Sequence, residues 1–146
     1  MTTPAAGPTV VKPTLSLDGA RTAVDAALAH ARALGVHVAV AVLDEAGHLL
    51  AFVRMDGAPY STIQVATDKA YTAASTRKST ADWFETLQED APLRAGAVVG
   101  TDRLIVFGGG QPIEWDGVVV GAIGVSGSHW TNDTEIGSAG IAALRG

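Results

Sequence analysis

Between Ser16 and Leu34 small and apolar residues return every third or fourth position, at Ala20, Val24, Ala27, Leu28, Ala31 and Leu34, with Arg21, Asp25 and Arg32 on the other faces. That period predicts an amphipathic helix, and Gly35 supplies the usual C-terminal stop. Val36 to Leu43 is instead a continuous β-branched apolar run, suited to a strand covered on both sides. Asp44-Glu45-Ala46-Gly47 is turn chemistry, and His48 to Arg54 reads as a second strand, so a hairpin is expected.

After the turn at Asp56-Gly57-Ala58-Pro59, Ser61 with Gln64 has capping-box spacing and predicts a helix to about Thr76. Its core face is built from Ala66, Ala70, Ala73 and Ala74, small enough for close approach to a sheet or another subunit. A short helix is expected from Ser79 to about Glu89, carrying Trp83, Phe84 and Leu87, with Pro92 ending it. The last third predicts strands at Leu104 to Phe107, Ile113 to Trp115 and Val118 to Val125, with turns at Gly108-Gly109-Gly110 and Asp116-Gly117. Asn132 with Glu135 then suggests a second capping box, opening a final helix through Ile141 and Leu144. The sum is a single α+β domain, residues 14–146, with one largely antiparallel five-stranded sheet flanked by helices, and a flexible tail at residues 1–13.

Composition narrows the function more than the fold. The 146 residues are 47% apolar, enough for one substantial core, and the net charge of −5 disfavours nucleic acid as a partner. With no cysteine, disulfides, thiolate metal sites and a Cys nucleophile are all excluded. No run approaches the length of a membrane span, and Met1 to Pro13 lacks the basic start and apolar block of a secretory signal. The expectation is a cytoplasmic protein without a membrane partner. Ser126 sits in G-x-S-G, which lacks the spacing of a nucleophile elbow, and the triple glycine has no Walker lysine.

Four motifs occur in order: Arg54-Met55-Asp56-Gly57-Ala58, Lys69-Ala70-Tyr71-Thr72-Ala73, Gly109-Gly110-Gln111-Pro112-Ile113, and Gly121-Ala122-Ile123-Gly124-Val125-Ser126-Gly127 with Asp133. Together they resemble the haem-degrading-domain (HbpS/GlcG-like) family over nearly the whole chain after residue 15. The resemblance implies a profilin-like layered domain, assembly as a homo-oligomer (octamer or tetramer), and haem or another small molecule as ligand. It also implies that some members perform cofactor-independent chemistry on small metabolites. His129 and Trp130 depart from the family pattern, where small or polar residues are more usual.

The candidate site follows from these segments. Arg54 could grip a carboxylate with Asp56 fixing its guanidinium, or the two could be an ordinary salt bridge and a turn cap. Lys69 shares a helix face with Thr62, Ala66 and Ala73, a face that should be covered. It then needs a carboxylate such as Asp56 or Asp133, a ligand anion or water, and desolvation would lower its pKa. Ser126 and Gly127 precede a helix N-terminus suited to an anion, or simply make a tight turn; Asp133 in the first turn also favours the helix dipole. His129 is the one histidine beside this site, a base, an axial haem ligand or a solvent residue, and Trp130 a stacking wall or lid. Metal is not carried: His129-x-x-x-Asp133 and Asp82-x-x-Glu85 each offer two donors only. Two functions compete. One is a small-molecule or haem-binding protein using Arg54, Asp56, Ser126, Gly127 and Trp130. The other is a cofactor-independent isomerase, deaminase or cyclase/lyase using Lys69, His129 and Asp133 on a carboxylated metabolite. A third reading makes the Ala- and Gly-rich helices oligomer surface without a ligand.

Overall fold

The computed structural model describes residues 7–146. Residues 7–13 are exposed and outside any helix or strand, while the first six positions of the expected tail lie outside the described residues. Helix α1 (Leu17–Leu34) is capped by Ser16, whose Oγ accepts the Gly19 N–H, and stopped by Gly35 at φ 71°. Strands β1 (Ala39–Asp44) and β2 (Leu49–Arg54) form the expected hairpin. Helices α2 (Ser61–Thr76), α3 (Thr80–Glu89) and α4 (Ala91–Gly100) follow. The chain then forms β3 (Gly110–Trp115), β4 (Val118–Ser126), helix α5 (Trp130–Ala142) and a 3-10 turn at Ala143–Arg145.

Among the described residues the sheet has four strands rather than five, in the order β2-β1-β4-β3, and every pairing is antiparallel. Leu104 to Phe107 is not a strand. Within it the Ile105 N–H donates to Thr72 Oγ1 of α2 (3.0 Å) instead of to a neighbouring strand, and the same hydroxyl donates to the carbonyl of Arg103 just before the segment (2.9 Å). Positive φ at Arg103 and Gly109 also turns the chain at both ends of the segment.

Pro92 does not end a helix but stands in the first turn of α4. A proline costs nothing in a first turn, where its N–H would be unpaired anyway, and Asp90 caps that turn by accepting the Leu93 N–H. Neither capping box forms. Tyr60 stands at the N-cap of α2, already in helical conformation, and makes no side-chain cap bond. At α5 the cap is His129, three residues before Asn132.

The two sheet faces differ in kind. Val38, Val40, Val42, Ile123 and Val125 pack against the alanine face of α1 and Ile136 of α5. On the other face Ala39, Ala41 and Leu43 meet Ala66 and Ala70 of α2. Alternation along the strands requires this division. The α2 face is so small that a Cβ on Gly124 would lie 2.0 Å from Ala66 O. Gly124→Ala is therefore expected to cost about 3 kcal/mol in urea unfolding, since backbone must move. Gly96→Ala, in helix α4 with open space around it, should be neutral or stabilising by up to about 1 kcal/mol.

Candidate functional site

The segments singled out in the sequence meet at one end of the sheet. Arg54, last in β2, pairs with Ala39, first in β1, which pairs with Ser126, last in β4. One strand further, β3 begins at Gly110 against Gly124. Alternation puts Arg54, Ala39 and Ser126 on the α2 side.

At the β3 corner the ladder is interrupted. The Val125 N–H still donates to Gly109 O (2.9 Å), but Gly109 at φ 129° turns away. Lys69 supplies the donor a continuing strand would have given: its Nζ reaches Val125 O at 2.8 Å. The same Nζ lies 3.1 Å from Asp133 Oδ2 of α5, and Asp133 Oδ1 accepts the Ser128 N–H at 3.1 Å. The Phe107 ring stands 4.9 Å from the ammonium. A Cβ on Gly109 would lie 2.6 Å from Nζ, so the glycine serves both the turn and the lysine's space.

Lys69 and Asp133 are 1% and 2% exposed. Desolvation lowers the lysine pKa and Asp133 opposes it; desolvation raises the aspartate pKa, opposed by Lys69 and the Ser128 N–H. Two hydrogen bonds and an aromatic face surround the ammonium, so proton transfer to a ligand would require the pair to open. The α5 N-terminus is likewise engaged by the protein itself. The Thr131 N–H meets His129 Nδ1 at 3.3 Å, and the Ser128 N–H meets Asp133. Gly127, at φ 138°, lies where a Cβ would be 2.4 Å from His37 O, so close strand contact accounts for it.

Two clefts flank this knot. One, of about 430 Å³, lies by β2 and includes Arg32, His37, Arg54, Met55 and Asp56 over Leu28 and Val53. Arg54 is held by its bond to Ala58 O (3.3 Å) and by the Tyr60 ring 5.0 Å away; among the described residues it makes no ion pair with Asp56. The other, of about 280 Å³, lies beside Phe107 and is walled by Phe84 and Trp130, with Asp82 and Glu85 at its edge. Trp130 lies against Gly108, where a Cβ would be 2.6 Å from the indole. His129 is exposed and its ring centroid is 5.7 Å from that of Trp130. No three His, Cys, Asp or Glu side chains converge among the described residues.

Residues 15–142 match the family model described as haem degrading protein HbpS-like. The chain belongs to the HbpS-like family. An uncharacterized 15.0 kDa protein of Citrobacter freundii is 35% identical over 120 residues, 82% of this chain and 84% of that one. The crystal structure of Klebsiella pneumoniae protein ORFY superposes with a TM-score of 0.90 at 27% identity, covering 97% and 98% of the two chains. A PduOC:heme complex superposes with a TM-score of 0.79 at 28% identity, covering 89% and 94%.

Within this HbpS-like chain the expected single pocket is divided. Lys69, Asp133, Ser126 and Gly127 lie at or near the central knot, Trp130 and His129 on one side of it, and Arg54 and Asp56 on the other. Sequence reasoning missed Arg32 and His37, which carry no local signal beyond an exposed helix face and a strand start. The strand pattern at Phe107 and the helical spacing of Phe84 carry no sign that the two rings share a cleft.

Removing one member of the buried pair has a pH signature. In Lys69→Met the Asp133 carboxyl loses the charged hydrogen bond from Lys69 that opposes its desolvation, so its pKa moves further above the ordinary 3.8. A folded-state pKa above the unfolded one means the native state binds the extra proton, and stability falls as pH rises through that window. The destabilisation of Lys69→Met relative to wild type should be smallest near about pH 4 and grow to about 3–5 kcal/mol near neutrality, read by urea unfolding at each pH. A pH-independent difference would mean that Asp133 is not left as a stranded carboxyl.

Proposed function

We propose that this HbpS-like protein binds a small carboxylate-bearing molecule, with haem as the first candidate, and that the ligand's anionic groups enter the cleft of Arg32, His37 and Arg54. The observation that carries the reading is that both guanidinium groups lack a carboxylate partner among the described residues while bordering one concave site. Arg54 is positioned by the Ala58 carbonyl and the Tyr60 ring, contacts that leave a guanidinium edge for a bidentate acceptor. Asp56 contributes one negative charge to the cleft against two positive ones, which leaves the site net positive.

The donor set fits a haem. Leu28 and Val53 offer apolar contact, Arg32 and Arg54 suit propionates, and the His37 ring makes no hydrogen bond among the described residues, so an imidazole nitrogen is available to iron. Met55 is less suited as a ligand because its sulfur accepts the Val38 N–H at 3.4 Å. Bound haem would supply the redox and ligand chemistry of its iron. The volume of about 430 Å³ lies within the range of small-molecule sites. The PduOC:heme complex of a relative with the same fold supports haem as the first ligand to try. Self-association as a tetramer or octamer belongs to the same reading. Its support is α4, which buries none of its residues and exposes Val99 at 91%.

Titration of the purified protein with hemin, followed at the Soret band, tests the assignment. The expected result is a saturable spectral shift, weakened about tenfold in Arg54→Ala by loss of a charge-assisted contact and altered in band position in His37→Ala. His129→Ala should behave as wild type. Absence of any shift, or loss of the shift in His129→Ala alone, would overturn the proposed cleft.

A further inference from the structure

The second cleft has the opposite chemistry. Phe84, Phe107 and Trp130 are 48%, 46% and 48% exposed, and all three line the same concavity of about 280 Å³. Half-exposure of three large aromatic rings around one hollow leaves a substantial apolar surface in water with nothing packed on it. Two carboxylates, Asp82 and Glu85, border the same hollow one helical turn apart on α3. Neither makes an ion pair among the described residues.

We infer that this cleft is a binding site for a small organic cation, an alkylated or quaternary ammonium group seated against the Phe84, Phe107 and Trp130 rings with Asp82 and Glu85 balancing its charge. The π faces attract a cation and contact its methyl groups. An anionic ligand is opposed by the carboxylates. A neutral apolar ligand would use the rings but leave the charge unmatched. A bare metal ion would find two carboxylates and no third convergent donor, too few to replace its hydration shell. The ammonium of Lys69 lies 4.9 Å from the Phe107 ring, but its charge is matched by Asp133 at 3.1 Å.

The local structure fits this use. Gly108 carries no Cβ, so the Trp130 indole lies close against the loop that bears Phe107, and the Thr134 hydroxyl approaches the same glycine. Trp130 opens α5 directly after the His129 cap, and α3 is fixed at its start by Ser79 Oγ accepting the Asp82 N–H at 3.0 Å. The walls therefore come from two capped helices and a pinned loop, a preformed arrangement that reduces the ordering cost of binding. The cleft is small, which selects compact head groups over extended ones.

Choline and its neutral isostere 3,3-dimethylbutan-1-ol differ essentially in the positive charge and are suitable probes. Isothermal titration of the full chain with each, supported by tryptophan fluorescence, should give at least about tenfold tighter binding for choline. Trp130→Ala and the double variant Asp82→Asn with Glu85→Gln should each weaken choline binding about tenfold, while circular dichroism stays unchanged because these side chains are exposed. Arg54→Ala should leave choline binding intact, which separates failure of this site from failure of the anion cleft. Equal affinity for the two isosteres would overturn the inference, as would insensitivity to both variants. So would absence of choline binding together with a Trp130-dependent change in oligomer mass, which would assign the aromatic surface to a second copy of the chain.

Discussion

An ammonium group with no route to water is the constraint around which this fold is arranged. Lys69 belongs to α2 on one side of the sheet, Val125 to β4 within it, and Asp133 to α5 on the other side, and all three meet at Nζ. Desolvating a lysine and an aspartate together costs several kcal/mol per ion, so the contact survives only where each hydrogen-bonding direction is used. Here the lysine is matched by a carbonyl, a carboxylate and the Phe107 ring, and the carboxylate by the lysine and the Ser128 N–H. The pair thereby joins both helical layers across the edge of the sheet. Its worth lies in fixing one arrangement of α2, β4 and α5.

Other features of this end of the sheet follow from that arrangement. The α2 backbone must come close, hence alanines on the helix and Gly124 beneath it. The ladder must stop short so that the lysine can reach Val125 O, hence Gly109 and the diversion of Leu104 to Phe107 away from strand pairing. Diverting that segment exposes Phe107 at one corner, while β2 ends with Arg54 at the other. The corners are three strand spacings apart, about 14 Å. The aromatic, acidic cleft and the basic cleft thus stand on opposite sides of one buried ion pair.

Much of this was legible in the sequence where the signal is local. The α1 period, the Gly35 stop, both hairpins and the alanine face of α2 are encoded within a few residues of where they act, and so is the covered position of Lys69. The failures share a different cause. Leu104 to Phe107 has strand composition, but the Ile105 N–H within it goes to Thr72, far away in sequence. Pro92 reads as a stop or a start depending on whether Asp90 caps a new turn. The candidate site was found as a set of segments but not as a geometry: nothing local indicates that Lys69 takes Asp133 rather than Asp56, or that His37 and Arg32 join Arg54. Even Pro112 fits once β3 is seen to be an edge strand, where a missing N–H does not break the sheet.

Membership of the HbpS-like family identifies the scaffold, and the scaffold holds an aromatic, acidic cleft apart from a basic one. The claim beneath both clefts is that Lys69 and Asp133 act as one unit. A double-mutant cycle with Lys69→Met, Asp133→Leu and the combined variant, measured by urea unfolding at neutral pH, tests it most directly. The combined variant is expected to be about 2–3 kcal/mol more stable than the sum of the single losses implies, because neither partner is then left charged and alone. Additivity within about 0.5 kcal/mol would show that the two side chains act independently, and would contradict the account.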